Sequence, residues 1–371
     1  MLRLLKRYRT NKILFIVLIY FTGFRSYGNE VESDRTPYLG VRSAYGFIIA
    51  HSREIASIAK TNPWGVEIDF GWHHTSEKTW RYCFCYPRSG FMLSYFNFNN
   101  PEVLGNGYAI VPYIEPYLTA DKPFSISIKA GLGLVYLDNV YHPVTNPENN
   151  FYSTPISFIA LLNFGINYRA TPNLNIKISG NYNHISNGSV KQPNKGINFP
   201  MASIGADYSF GSTSFPEREK EDYGNEKRHG SIFRISTFLS LKEISKEDKK
   251  QYPVFGFSGK YSYLVGRMSA LTTGLEWVWD GSLKEYIAQN EIPNSSPNRF
   301  SVTAGHELLI GNVNFYQELG VYLYSPFEAL DPVYQRYGIE YFLSNKISVG
   351  MTLKAHRHVA DFMDIRVTIS I

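Results

Sequence analysis

The chain has 371 residues, of which 16% are aromatic and 19% are charged. Its 37 Lys and Arg residues exceed its 32 Asp and Glu residues, but six of the basic residues lie in residues 1–28. Without that segment 31 basic residues face 32 acidic ones, so we expect no nucleic-acid partner. No later apolar run approaches the roughly 20 residues of a membrane-spanning helix, which excludes that class of membrane protein.

Residues 1–28 are predicted to be a secretory signal peptide. Basic residues crowd residues 3–12, and the short apolar segment ILFIVLIYFTGF follows, before Ser26 and Gly28. A charged start ahead of a short apolar core is typical of exported chains. We therefore expect the protein to be exported.

Residues 36–212 contain eight segments in which apolar and polar residues alternate. A period of two residues is the pattern of β-strands with one apolar face. The predicted strands cover residues 39–50, 64–75, 89–98, 105–119, 123–137, 154–169, 173–186 and 198–210. We expect these strands to form one domain.

Residues 213–229 are polar and are predicted to be a linker, after which residues 230–371 resume the pattern. Strands are predicted there at residues 230–242, 254–266, 269–280, 299–310, 312–324, 334–343, 345–357 and 361–371. The second half thus offers about eight more strands, either as a second barrel or as part of one barrel of about 16 strands. The long charged linker favours two units, because periplasmic turns in membrane barrels are short.

The alternation also predicts which face of each strand is apolar. In residues 173–186 the even positions include Leu174, Ile176 and Ile178, whereas Asn175 and Lys177 occupy odd positions. A soluble sandwich would alternate in the same way. The signal peptide, the length of the strands and the Tyr and Trp residues near strand ends favour an all-β, antiparallel outer-membrane β-barrel with an apolar exterior and a polar interior.

The two cysteines, Cys83 and Cys85, stand two positions apart. A disulfide between them would close a very small and strained ring. The spacing therefore predicts two free or loosely paired thiols in a loop.

A histidine and a serine share the apolar face of the seventh predicted strand. His184 and Ser186 have the same parity as Ile176, and Asn198 opens the next strand, from which it can approach His184. Histidine removes a serine proton at neutral pH, and a third polar group orients the imidazole. Because polar groups facing lipid are costly, their presence indicates function.

The segment HISNGSVKQPNKGIN resembles the signature of the PagL family of lipid A 3-O-deacylases. The family pattern is His-x-Ser-Asn, a small residue with Gly, and then Pro-Asn-x-Gly-Ile or Leu. Its elements here are His184, Ser186, Asn187, Pro193, Asn194, Gly196 and Ile197. A weaker resemblance, through YGFIIAHS and NPEVLGNGYAIVPYIEPYL, extends to bacterial acyloxyacyl hydrolases over about residues 38–212.

The resemblance implies an eight-stranded outer-membrane barrel that hydrolyses an ester-linked acyl chain of lipid A in lipopolysaccharide, without a cofactor or metal. Ser186 would be the nucleophile, His184 the general base and Asn198 the third member of the triad. The turn after the strand would supply oxyanion or substrate contacts from Asn187, Gly188 and Asn194. Partners would be lipid A and outer-membrane lipids, with a homodimer as a further option, in the outer membrane of a Gram-negative cell.

This chain departs from the family pattern at two places. Asn198 stands where well-known members have Glu, and an amide does not stabilise an imidazolium by charge, so slower chemistry is expected. Gly188 and Ser189 replace an Ala-Gly pair, which alters the oxyanion turn. Two other functions stay open, a catalytically silent barrel with a structural or transport role and an esterase acting on phospholipid.

Residues 345–357 look like a degenerate copy of residues 174–186 without the site. At an offset of 171 residues, Ala355 corresponds to His184 and Arg357 to Ser186. Duplication and independent strand patterns both explain this likeness.

Overall fold

The computed structural model describes residues 34–219, 230–245, 247, 250–327, 331–357 and 359–371. The predicted signal peptide lies outside the described residues, as does the predicted linker from residue 220 onward.

Eight strands of the first half form a closed antiparallel barrel in which each strand pairs with the next and β8 returns to β1. They are β1 (Arg35–Gly46), β2 (Trp64–His74), β3 (Arg88–Asn97), β4 (Asn106–Glu115), β5 (Phe124–Leu137), β6 (Ile156–Arg169), β7 (Leu174–Ser186) and β8 (Ile197–Ser209). A 3-10 turn, Arg53–Ile55, and helix α1, Glu77–Cys83, lie in its loops.

The second half closes into its own eight-stranded antiparallel barrel, with β16 returning to β9. Its strands are β9 (Ser231–Lys242), β10 (Tyr252–Leu264), β11 (Ser269–Asp280), β12 (Asn298–Ile310), β13 (Val313–Tyr324), β14 (Val333–Phe342), β15 (Ile347–His356) and β16 (Val359–Ser370). Helix α2, Gly281–Gln289, follows β11. The predicted all-β fold with two sets of eight strands is confirmed, and the strands form two barrels rather than one. None of the described helices is long and apolar enough to span a membrane.

Both barrels are apolar outside and polar inside. In β7 the side chains of Ile176, Ile178 and Tyr182 are exposed, whereas Lys177 and Asn181 are buried. In β16 the exposed positions include Ile365, Val367 and Ile369. This distribution is that of transmembrane barrels, whose outer wall contacts lipid.

Charged side chains fill the interior of the first barrel in opposite pairs. Asp69 contacts Arg42 and Lys129, and Asp207 contacts Arg42 together with Arg88. All five are buried, and a buried charge is tolerated only when it is paired. The interior is therefore a packed polar core.

The second barrel has an equivalent core. Arg336 lies 2.7 Å from Glu276, which also meets Lys354 at 3.2 Å, and Arg234 lies 2.7 Å from Glu307. Each barrel thus has an internal ion-pair network of its own.

The prediction of two free or loosely paired thiols in a loop is wrong, because Cys83 and Cys85 form a disulfide at the end of α1. Phe84 between them adopts a left-handed conformation, with φ 50°. This conformation folds the chain back on itself, so the two Cα atoms lie 5.1 Å apart, within the range of ordinary disulfides.

An apolar cluster closes the first barrel at the end where β7 finishes and β8 begins. Ile185, Ile197 and Phe199 are completely buried in it, together with Phe151 and Tyr152 from the β5–β6 loop. Ile185 therefore points into the barrel, and His184 before it points outward.

Candidate active site

The β7–β8 ladder brings His184 and Asn198 together. The two residues are directly opposite each other in the register. His184 Nδ1 lies 2.6 Å from Asn198 Oδ1, and because a carbonyl oxygen only accepts, the imidazole N–H donates. The predicted approach of Asn198 to His184 is therefore present in the structure.

Gly196 lies close to both His184 and Ser186. A Cβ atom built on Gly196 would lie 2.9 Å from His184 Cε1 and 3.4 Å from Ser186 Cβ. Both side chains therefore border the space beside Gly196, although no hydrogen bond joins His184 to Ser186 among the described residues. Gly196 has φ +70°, a conformation that glycine adopts without strain.

The outward direction predicted for β7 holds as far as His184, but the pair does not lie on an open lipid-facing surface. His184 is half-buried, and Ser186 is only 6% exposed. Strand alternation did not predict the low exposure of these two side chains, because neighbouring loops cover them. His184 and Ser186 are therefore partly covered where β7 ends at the rim of the barrel.

Asn187 and Asn194 shape the loop that joins β7 to β8. The Asn187 backbone N–H donates to Asn194 Oδ1 at 3.0 Å, and the Asn187 side-chain amide donates to Lys191 O at 2.8 Å. Gly188 and Ser189 follow with φ near +65°, which makes the turn tight. The Asn187 side-chain amide also donates to Ser153 Oγ of the β5–β6 loop at 3.2 Å, so the Asn187 donors are engaged in this structure.

The neighbouring β5–β6 loop holds the far end of the same segment. Lys195 N donates to Asn150 O at 3.0 Å, and Gly196 N donates to Phe151 O at 2.9 Å. These bonds keep Gly196 against the imidazole.

The second barrel contacts the β7–β8 loop directly. Met363 N donates to Gly188 O at 3.0 Å, and Ser189 Oγ donates to Ala360 O at 2.9 Å. β16 pairs with β9 only from Ile365 to Ser370. The earlier residues of β16, which include Ala360 and Met363, are therefore free on that side to contact the β7–β8 loop.

A third contact with the second barrel involves a charged group. Gln192 N donates to Glu243 Oε2 at 2.8 Å, just beyond the end of β9. The loop is thus held from both barrels.

His51 also belongs to the site, although the sequence did not single it out. Ile49 N donates to Asn198 O at 2.8 Å, which aligns the β1–β2 loop with the start of β8. His51 Nδ1 then lies 3.4 Å from Asn198 Nδ2, and His51 Nε2 lies 2.9 Å from Lys195 O. His51 stands 147 residues before Asn198, so no local pattern links the two residues. The one feature of the sequence that could have indicated His51 is its place in the segment YGFIIAHS, which carries part of the family resemblance.

The arrangement is suited to nucleophilic chemistry. It combines a hydroxyl, an imidazole beside it and an amide that orients the imidazole. Among the described residues, no group of three or more His, Cys, Asp or Glu side chains is placed to hold a metal ion.

The fold defines a membrane β-barrel, and His184, Asn198 and Ser186 form a polar cluster at its rim. Residues 64–207 match the family model described as lipid A 3-O-deacylase (PagL), and residues 232–371 match the acyloxyacyl hydrolase C-terminal domain. The two matches together cover more than half of the chain, which belongs to this family of PagL-type acyloxyacyl hydrolases. No curated protein matches the chain.

Solved structures of β-barrel proteins also match. Neisserial surface protein A is 15% identical, with a TM-score of 0.33 over 47% of this chain and 97% of that protein. The outer-membrane enzyme PagL is 15% identical, with a TM-score of 0.34 over 45% of this chain and 97% of that enzyme. A Rhodopseudomonas blastica porin triple mutant is 7% identical, with a TM-score of 0.19 over 91% of this chain and all of the porin chain.

Proposed function

We propose that the protein is an outer-membrane serine esterase that removes a 3-O-linked acyl chain from lipid A. The observation that carries this proposal is the placement of His184, which is hydrogen-bonded to Asn198 and borders, together with Ser186, the space beside Gly196. The family assignment supplies the substrate class.

The reaction begins when Ser186 Oγ attacks the carbonyl carbon of the ester and His184 Nε2 takes its proton. The tetrahedral oxyanion collapses, and the sugar alkoxide leaves with the proton from His184. Water then attacks the acyl-serine, again losing a proton to His184, and the fatty acid departs as that proton returns to Ser186 Oγ. The tight turn at Gly188 is the proposed source of N–H donors for the oxyanion.

Asn198 holds the imidazole without adding negative charge. Its Oδ1 accepts the Nδ1–H of His184, which leaves Nε2 as the basic nitrogen. An imidazolium formed during the reaction gains less from an amide than from a carboxylate. We therefore expect slower turnover than with Glu at this position.

The loops indicate the side of the membrane on which the site lies. In the second barrel residues 265–268, 311–312 and 343–346 form short turns at the end opposite the site. At the site end the connections after β9, β11 and β13 are longer, and the connection between β15 and β16 is short. Short periplasmic turns and longer extracellular loops are usual for outer-membrane barrels. The site then faces the outer leaflet, where lipid A acyl chains would lie against the apolar wall.

The test uses a Gram-negative host whose lipid A carries a 3-O-linked hydroxyacyl chain. Wild-type protein should remove the mass of one hydroxyacyl group from lipid A, as measured by mass spectrometry, and Ser186→Ala should not. Unchanged lipid A in cells with correctly inserted wild-type protein would refute the proposal. Lysophospholipid in the same extract would point instead to phospholipid hydrolysis.

An Asn198→Glu variant should react faster, and no gain in rate would count against Asn198 as the orienting group.

A further inference from the structure

Asparagine is an ambiguous partner for a catalytic histidine. Its two ends are nearly equal in size, but one end only accepts hydrogen bonds and the other only donates them. If the Asn198 amide turned around, its NH₂ would face His184 Nδ1, and the imidazole would have to accept there. The His184 proton would then move to Nε2, and the nitrogen facing the serine would be unable to act as a base.

The contacts of His51 settle the direction of the amide. The Lys195 carbonyl only accepts, so His51 Nε2, 2.9 Å away, carries the proton. Ile49 O and Asn198 Nδ2 each lie 3.4 Å from the other nitrogen, Nδ1. In a neutral imidazole whose proton is held on Nε2 by the shorter bond to Lys195 O, Nδ1 is an acceptor and pairs with Asn198 Nδ2 rather than with the Ile49 carbonyl. Asn198 Nδ2 donates to the lone pair of Nδ1, and this leaves Oδ1 for His184.

We propose that His51 is a positioning residue that selects the reactive tautomer of His184 by fixing the orientation of the Asn198 amide. The chain Lys195 C=O, His51, Asn198, His184 has one consistent set of proton positions when both imidazoles are neutral. In that set His184 Nε2 is unprotonated and is available as the base for Ser186 in the proposed reaction. The inference rests on the proposed esterase function.

A carboxylate would not need this device. Both oxygens of a carboxylate accept, so it has no wrong orientation toward His184. His51 therefore matters because position 198 is Asn, and the backbone bond from Ile49 N to Asn198 O holds its loop in place.

The experiment compares two substitutions in the full-length protein, assayed on purified lipid A in detergent micelles. His51→Phe keeps a ring but loses both hydrogen bonds, and we expect kcat to fall about tenfold, with KM nearly unchanged, because one neutral hydrogen bond of ordinary strength is lost. His51→Gln can accept from Asn198 and donate to Lys195, so it should restore most of kcat. His142→Phe, in another loop of the same barrel end, is the matched control and should react like wild type.

A second comparison tests the link to the amide. In an Asn198→Asp background, His51→Phe should change kcat less than about twofold, because the carboxylate has no orientation to lose. The idea is overturned if His51→Phe has wild-type kcat, if the Gln variant is as impaired as the Phe variant, or if the loss is equally large with Asp at 198. If the Asn198→Asp variant is inactive, the comparison of His51→Gln with His51→Phe still tests the role of His51.

Failure of the esterase proposal gives a different result. Inactive wild-type protein, or an active Ser186→Ala variant, overturns the proposed function and this inference with it. An active wild type, an inactive Ser186→Ala variant and an unimpaired His51→Phe variant overturn the role of His51 alone.

Discussion

Gly196→Ala should disable the site while leaving both barrels folded. The added methyl would lie 2.9 Å from His184 Cε1, 3.3 Å from Ile185 O and 3.4 Å from Ser186 Cβ. Carbon atoms pack best at about 3.5–4.0 Å, so the imidazole has to move by several tenths of an ångström or the loop has to lift. Either movement separates His184 from Ser186.

Backbone strain adds to this crowding. Gly196 has φ +70°, and an L-residue in the left-handed region costs about 1–2 kcal/mol. The bonds from Gly196 N to Phe151 O and from Lys195 N to Asn150 O oppose a relaxation of the loop. Because a misplacement of about 1 Å can cost 100-fold in rate, we expect kcat to fall at least about tenfold.

The measurement is the rate of hydroxyacyl release from lipid A, with heat-dependent electrophoretic migration as the check on folding. Gly180→Ala is the matched control, since Gly180 lies on β7, the strand of His184, and a Cβ there would meet nothing within 4 Å. A folded Gly196→Ala variant with wild-type kcat would refute the argument that the bare Cα of Gly196 sets the distance between His184 and Ser186.

Two further predictions concern the loop and the barrel interior. Glu243→Ala removes the acceptor of Gln192 N and should lower kcat about three- to tenfold with lipid A as substrate. Glu243→Gln keeps an acceptor and should retain most of the activity. Equal rates for wild type and both variants would contradict a role of this contact. Asp207→Ala leaves two buried arginines without their shared carboxylate and should destabilise the first barrel by about 3–5 kcal/mol, seen as a lower unfolding midpoint by electrophoresis. Exposed Asp121→Ala is its control and should change the midpoint little, and an equal shift in both variants would show that the buried pairing is not the cause.

Strand alternation predicted the part of the fold that depends on neighbouring residues. Lys177 is buried and Ile178 is exposed, as the alternation requires in a barrel with a polar core. The pairing of His184 with Asn198 was also predictable, since one short loop joins their strands. Whether sixteen strands close once or twice depends on the contact of β1 with β8, which no local pattern encodes.

The remaining parts of the site depend on contacts between distant segments. His51 reaches Asn198 across 147 residues, and Gly188 meets Met363 in the other barrel. No periodicity or residue spacing in the sequence predicts either contact. The disulfide was missed for a local reason, because the left-handed conformation of Phe84 is unusual for a large residue.

The contacts divide the site into two parts that are held differently. His184 and Asn198 are fixed by the β7–β8 ladder, so their relative position depends on the first barrel alone. The loop after Ser186 depends on both barrels, because Gly188 O accepts from Met363 N. A change in the second barrel should therefore alter the turn that follows the nucleophile and leave the orientation of the imidazole unchanged. On this argument a barrel without catalytic residues of its own still influences the rate, and substitutions at its contact with the loop should change kcat without removing the dependence on His51.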